Sequence, residues 1–352
     1  MFGQKKSSLL GIDISSSVVK MLELGQANGE YSVESYAVEP LPLNSVVEGR
    51  IDNVEEVAGA IKRAIKKSGA KAKDAAVAVS ANSAITKIIS FPADMSEREM
   101  EEQIMLEADN YIPYPLEEVR LDFEVVGPSA ADPETVDVLL AASRSENVYA
   151  RTDAIEEAGL KPKVVDVEAY TIENAFALIC EQMPNHGQGL TVAVLDVGAS
   201  VTTLHVLVDG KIVFTREQTF GGRMLTEEIE RHYGMSYLEA DLAKKQNNLP
   251  ADYEEKVLEP FKRSMTTTVT RALQFFFSAS TQYQSIDYIL LAGGCASISG
   301  VDAMIEEEIG TPTTVANPFS DMILGSKIKI QSLSNDAPSM LIACGLAMRS
   351  FD

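Results

Sequence analysis

Apolar positions lead from Leu10 to Asp13, three serines follow at Ser15, Ser16 and Ser17, and an apolar run resumes at Val18. That pattern predicts a strand, a small-residue turn and a second strand. It returns at residues 193–203, AVLDVGASVTT, where Asp196 precedes a turn over 198–200 and apolar residues resume at Val201. The flanks repeat as well. An Asn28-Gly29 turn leads to a strand over 31–38, and an Asp209-Gly210 turn leads to a strand over 211–218. Such pairs between apolar runs are strong hairpin signals. Each half of the chain therefore holds a three-stranded meander with an aspartate at its first turn. Small hydroxyl residues let N–H and O–H groups converge on an anion, and a nearby carboxylate can hold a hydrated divalent cation. Two readings of the repeat stand: facing hairpins that clamp a metal-bound polyphosphate between Asp13 and Asp196, or a duplication that keeps the fold and no ligand.

Between the meanders the apolar period changes. Val54, Val57, Ala58, Ile61 and Ile65 fall on one helical face over 53–67, and a strand follows at 75–79. Residues 85–92 read as a strand. Ser96 and Glu99 form a capping box for a helix to about residue 111, stopped by Pro113 and Pro115. Strands over 119–126 and 135–142 and a helix over 146–157 complete an inserted β-α-β-β-α subdomain at 85–159. A strand over 163–167 and a helix over 168–181 come next. Asp166 and Glu168 sit at that strand's carboxyl end, where open α/β sheets place ligands. Either could order a water beside a phosphate, or serve only as a helix cap and a first-turn acid.

Past the second meander, Gly221-Gly222 leads into a helical region over 225–283, broken near 247–252. Val257, Phe261, Met265, Val269, Ala272 and Phe276 line one face, and Glu259, Lys262, Arg263 and Thr266 line the other. Pro260 must occupy a first turn or a kink. A strand over 285–292 runs into Gly293-Gly294, which lets backbone pass close to a flat ligand. Residues 318–338 read as irregular. The last helix, 339–349, is small and apolar and should pack against another element.

The formal charge of −22 argues against nucleic acid and against adhesion to anionic lipid. Simple solubility accounts for much of it, and a basic protein partner would suit it. Cys180, Cys295 and Cys344 are too scattered for a disulfide framework or a metal motif, which fits a reducing compartment. No run is apolar for long enough to span a bilayer. Lys5 and Lys6 precede an apolar stretch that Asp13 interrupts, so a signal peptide is not expected, and no basic amphipathic tail closes the chain. These features together predict a cytoplasmic protein.

The order of the Asp13 turn, the Asp196 turn and Gly293-Gly294-x-x-x-Ile298-x-Gly300 resembles the phosphate and adenosine motifs of the actin, Hsp70 and FtsA ATPase superfamily. More narrowly, residues 11–20, Phe220-Gly221-Gly222 with the run 225–229, Ala316-Asn317-Pro318-Phe319 and residues 338–349 resemble the type IV pilus assembly PilM family. The resemblance covers nearly the whole chain. It implies an α/β, actin-like two-lobed ATPase fold around ATP and Mg²⁺. The first-lobe core would be 1–84, 160–189 and 337–352, with 85–159 inserted. The second-lobe core would be 190–226 and 285–336, with a helical subdomain at 227–284.

Asp13 and Asp196 would hold the metal. Ser15, Ser16, Ser17 and Lys20 would meet phosphates from one lobe, and Gly198, Ser200 and Thr202 from the other, with Gly221 and Gly222 nearby. Gly293 and Gly294 would line the adenosine opposite Glu259, Lys262 and Thr266. Ser15 stands where many superfamily members have glycine. Asp166 and Glu168 are the catalytic candidates by position, so at most slow hydrolysis is expected. The family further implies a scaffold of the pilus inner-membrane platform, in contact with other platform proteins. It would bind the N-terminal cytoplasmic tail of a bitopic, PilN-like partner in a groove near 80–87 and 104–114. An FtsA-like filament protein and a small-molecule kinase are the alternatives.

Overall fold

The computed structural model describes residues 8–280 and 282–352. Lys5 and Lys6, on which the signal-peptide expectation turned, lie outside the described residues, as does position 281 within the expected helical region.

The first meander is β1 (Leu9–Ile14), β2 (Val18–Ala27) and β3 (Glu30–Pro40), and a small hairpin follows, β4 (Val46–Val47) and β5 (Arg50–Ile51). Helix α1 (Val54–Ser68) opens on the Asn53 side chain, which accepts the Glu56 N–H, and leads to β6 (Asp74–Val79). The insertion is β7 (Ala84–Pro92), α2 (Glu97–Glu107), β8 (Val119–Pro128) and β9 (Thr135–Arg144), and the Ser96–Glu99 capping box forms as predicted. Helix α3 (Ser145–Glu157), β10 (Lys161–Val167) and α4 (Glu168–Cys180) return the chain to the first lobe.

The second meander is β11 (Thr191–Val197), β12 (Thr202–Val208) and β13 (Lys211–Gln218). Helices α5 (Gly222–Tyr233), α6 (Tyr237–Lys245) and α7 (Glu259–Ala279) follow, with Pro260 in the first turn of α7 just after a π-helical turn. The chain ends with β14 (Tyr288–Ala292), α8 (Val301–Ile309), β15 (Thr313–Val315), β16 (Ile323–Leu324), α9 (Ile330–Asp336) and α10 (Leu341–Met348). Helix α9 corrects the irregular reading of 318–338.

The strands form a six-stranded sheet, β10-β6-β1-β2-β3-β16, and a five-stranded sheet, β13-β12-β11-β14-β15. The insertion has its own antiparallel sheet, β7-β9-β8. Helices α4 and α10 lie between the two large sheets, in a core that joins Leu22, Leu24 and Val33 of one to Val192, Val194 and Leu207 of the other. Their close fit explains the small residues of the last helix. A Cβ on Gly345 would fall 1.8 Å from the Thr171 carbonyl oxygen of α4, and one on Gly11 would fall 2.2 Å from that of Ala343. Outside this layer, α1 and α3 cover the first sheet and α5, α7 and α8 the second. The predicted apolar face, Val257 in the π-helical turn and Phe261 to Phe276 in α7, is buried there, each large side chain contributing about 1.5–3 kcal/mol.

Two boundaries differ from the sequence division. Helix α3, read as part of the insertion, buries Ala154 and Ile155 in the first-lobe core beside Ile12, Ile61 and Val77. Strand β16, read with the second lobe, pairs in parallel with β3. Periodicity gives a buried face for each element and says nothing of which body it is buried against.

Candidate functional site

A cavity of about 1330 Å³ is lined from both lobes by Asp13, Ser15, Ser16, Ser17, Lys20 and Glu168 on one side and Asp196, Gly198, Ser200, Gly222, Gly293 and Gly294 on the other. The two aspartate turns close alike. The Ser15 N–H donates to the Val18 carbonyl at 3.1 Å, and the Gly198 N–H donates to the Val201 carbonyl at 2.9 Å. Across the cavity the turns touch directly, the Ser16 hydroxyl donating to Ser200 Oγ at 3.2 Å. The Ser15 hydroxyl instead folds back on the Val18 carbonyl at 2.9 Å, so its bulk lies within its own turn.

Asp13 and Lys20 are cross-strand partners in the β1–β2 ladder, and their ion pair is 2.7 Å long and almost wholly buried. Burial by itself would lower the Lys20 pKa, but the charges of Asp13 and Asp196 and the bond to Asp13 hold it above its ordinary value. Asp196 faces Thr203 across its ladder. Burial, with the Asp13 charge adding, pushes its pKa up to about 6 against the opposing pull of Lys20. Glu168, at the start of α4, is pushed up to about 8 by burial first and by Asp13 next, with Arg151 pulling the other way. Three carboxylates, Asp13, Asp196 and Glu168, are thus gathered around Lys20.

Gly293 has φ +82° and stands so close to β11 that a Cβ would fall 2.4 Å from both Asp196 Oδ1 and the Val197 carbonyl oxygen. At Gly294 a Cβ would meet no protein atom within 4 Å, which leaves open space above the backbone. This is the cradle that a flat ligand requires.

Several predicted residues stand back from the cavity. Thr202 Oγ1 donates to the Phe220 carbonyl at 2.9 Å and is buried. Gly221 packs on the Ala199 backbone, where a Cβ would fall 2.6 Å from the carbonyl carbon. Lys262 pairs with Glu259 and reaches the wall only through the Ser299 carbonyl, 3.4 Å away. Thr266 Oγ1 bonds back to the Lys262 carbonyl at 3.1 Å. Asp166 accepts from Arg349 Nε at 2.7 Å and from its neighbour's N–H, fastening the chain's last turn rather than facing the cavity.

Other lining residues escaped the sequence reading. Lys244 of α6 donates to Thr226 Oγ1 and to the Gly222 carbonyl, and Tyr237 and Leu238 of the same helix line the wall. The Ser236–Glu239 capping box announces this helix in the sequence, but no one-dimensional signal shows that it faces the cleft. Glu217 and Asn82 also line the cavity, and they meet across the lobes. Among the described residues, no group of three or more His, Cys, Asp or Glu side chains is placed to hold a metal ion, and no helix is long and apolar enough to cross a membrane.

A family model described as type IV pilus assembly protein PilM matches residues 11–351. The chain is similar to a solved PilM-PilN type IV pilus biogenesis complex, with 27% identity, a TM-score of 0.81 and coverage of 99% of each chain. Two more distant structures share the fold. The ethanolamine utilization protein EutJ of Carboxydothermus hydrogenoformans has 15% identity, a TM-score of 0.56 and coverage of 97% of this chain and 89% of its own. MreB 5 of Spiroplasma citri, solved bound to AMPPNP, has 12% identity, a TM-score of 0.51 and coverage of 99% and 97%. The two-lobed architecture is therefore the actin-like fold.

Proposed function

The chain belongs to the type IV pilus assembly protein PilM family, and from that premise we propose that it is an ATP-binding scaffold that carries the cytoplasmic tail of a PilN-like inner-membrane protein. The observation that supports the ligand is the pair of matched turns, Asp13 with Ser15–Ser17 and Asp196 with Gly198 and Ser200, facing one cavity. The residues fit ATP with Mg²⁺. Hydroxyls and turn amides suit phosphates, and the open face at Gly294 suits the adenosine ring. Asp13 and Asp196 would hold a hydrated cation together with the phosphate oxygens, since no third carboxylate, histidine or cysteine joins them among the described residues. When bound, Mg²⁺ offsets the charge of the phosphates. A polyphosphate needs that offset here, because the carboxylates of Asp13, Asp196 and Glu168 stand together with Lys20 and Arg151 as the cations that act on them.

Calorimetry of Asp13→Ala and Asp196→Ala tests this. Each should weaken Mg²⁺-dependent ATP binding at least tenfold, about 1.4 kcal/mol, and unchanged affinity in both would remove the reading. Glu168, with its pKa raised to about 8, holds its proton at neutral pH and is a poor base there. Turnover should accordingly stay below about 1 s⁻¹, and ATP would act chiefly by setting lobe closure.

The tail would lie between the first lobe and the insertion, near residues 80–87 and 104–114. Met105 and Leu106, 50% and 80% exposed, offer apolar anchors, and Glu107 and Asp109 an acidic rim. A peptide of apolar and basic residues fits such a groove. The ordering cost of a disordered tail sets the expected affinity in the micromolar range, about −8 kcal/mol. Replacing residues 85–143 by a short linker keeps α3 in the first-lobe core. It should abolish tail binding while ATP still binds, and full retention of the tail would move the groove elsewhere. Neither the filament nor the kinase alternative gains a specific observation.

A further inference from the structure

Three bodies meet at the root of the insertion. The turn 81–83 joins β6 to β7, and Ser80, Asn82 and Ser83 of that segment also line the cavity. From the second lobe, edge strand β13 runs past the root and is gripped by the first lobe at both ends. At its start, Glu173 of α4 takes the Lys211 ammonium at 2.6 Å and the Ile212 N–H at 3.0 Å. The Ile212 side chain packs into a small apolar cluster with Val79, Ala81 and Ala84 of the root, Val148 of α3 and Ala169 of α4. At its end, the Glu217 carboxylate accepts from the Asn82 side-chain amide and, at 3.4 Å, from the Asn82 N–H.

Glu217 is also in fixed register with the second aspartate turn. Asp196 pairs with Thr203 across the β11–β12 ladder, and Thr203 pairs with Glu217 across the β12–β13 ladder. Glu217 is thereby fixed to the hairpin that carries Ser200, so a lobe rotation about an axis away from β13 that parts Ser16 from Ser200 also carries Glu217 away from Asn82. On this geometry we propose that the Glu217–Asn82 contact is a pin that couples closure of the cleft to the orientation of the inserted unit. The proposal rests on the ligand and tail readings above and gives them a regulation. A ligand held by both turns favours the state in which the pin is made. A tail that fixes the insertion in the pinned orientation then tightens ATP by the same factor that ATP tightens the tail. Burial raises the Glu217 carboxyl pKa, and the two Asn82 donors offset part of that rise by stabilising the ionised form.

Two measurements on the full chain test the pin. The first is hydrogen exchange with and without Mg²⁺-ATP, since the Asn82 amide is itself a donor in the contact. Added protection is expected both in 10–20 and in 80–92. Protection in 10–20 alone overturns the pin and leaves the ligand reading standing, whereas protection in neither overturns both. The second is the ratio of ATP dissociation constants without and with a saturating synthetic N-terminal tail of a PilN protein. About fivefold is expected, at the lower end of ordinary coupling, falling to one in Asn82→Ala and in Glu217→Ala and partly restored in Glu217→Gln. An undiminished ratio in both alanine variants, or a ratio of one when wild-type protein binds both ligands, overturns the proposal. The exchange measurement needs no variant and decides the matter if either variant fails to fold.

Discussion

The hairpins β1–β2 and β11–β12 close with the same backbone hydrogen bond, from Ser15 to Val18 in one and from Gly198 to Val201 in the other. Their aspartates nevertheless live in different fields. Asp13 faces Lys20 across its ladder and is paired at 2.7 Å, while Asp196 faces Thr203 and is raised to about 6. The repeat preserves what the backbone needs and not the compensation of charge. One hairpin carries its own counter-ion within its ladder, and the other depends on the Lys20 of its counterpart across the cleft.

Removing one partner of the buried pair is the strongest way to break this contrast. Asp13→Asn strands the Lys20 ammonium in a buried position and should cost about 3 kcal/mol or more of stability. Adding Lys20→Met to Asp13→Asn removes the stranded charge and should recover most of the loss. Asp196→Asn removes a disfavoured charge and should leave the ligand-free protein as stable or more so. Urea unfolding of the wild type and these three variants measures all of this. Equal losses for Asp13→Asn and Asp196→Asn would mean that the hairpins are electrostatically equivalent.

A titration sharpens the same contrast. Asp196 and Glu168 have folded-state pKa values raised to about 6 and about 8. Between pH 4 and 8 the folded protein thus binds more protons than the unfolded chain, and stability falls as pH rises through that window. A tenfold difference in proton affinity between the folded and unfolded chain is worth about 1.4 kcal/mol, and partial solvent access reduces the sum to about 1–2 kcal/mol per group. Thermal melts of ligand-free protein from pH 5 to pH 9 should show the fall. Asp196→Asn should flatten its lower half and Glu168→Gln its upper half. Parallel curves for wild type and both variants would place the charge elsewhere.

The hairpins were legible because tight turns impose their own residues on the sequence: Asn28-Gly29 and Asp209-Gly210 fill two-residue turns, and the small residues after Asp13 and Asp196 mark the other two. The last helix was legible for a similar reason, since Gly345 records a backbone contact that excludes every larger side chain. Side chains whose role depends on the relation between two bodies were not. The polar face of α7 pointed Glu259 and Lys262 toward a ligand, yet they pair with each other behind Ser299. Lys244 reached the cavity unannounced, because its helix has an ordinary amphipathic pattern and only the packing of α6 on α5 turns it inward. Asp166 and Glu168 stand two residues apart with equal claims in the sequence. The fold separates them by giving Arg349 to one and the cavity to the other.

The smallest effect comes from exchanging the residues at which the two turns differ. Ser15 occupies the position that Gly198 holds in the other hairpin, and glycine there would leave more room for a phosphate. Yet the Ser15 hydroxyl is bonded to the Val18 carbonyl at 2.9 Å and takes up space inside its own turn. Ser15→Gly should therefore cost about 1 kcal/mol or less, from one hydrogen bond and a freer unfolded chain, and change ATP affinity less than threefold. In the reverse exchange, a Cβ on Gly198 would lie 3.1 Å from the Val201 carbonyl oxygen, close enough to need a small adjustment of the turn. Gly198→Ser should accordingly weaken ATP more than Ser15→Gly does, because its adjustment falls on the hairpin that lacks an internal ion pair to hold it. Calorimetry of the two variants orders them. A tenfold loss in Ser15→Gly would mean that the hydroxyl leaves Val18 to bind the ligand, and the first hairpin would then contribute a side-chain contact at the position where Gly198 can offer only backbone.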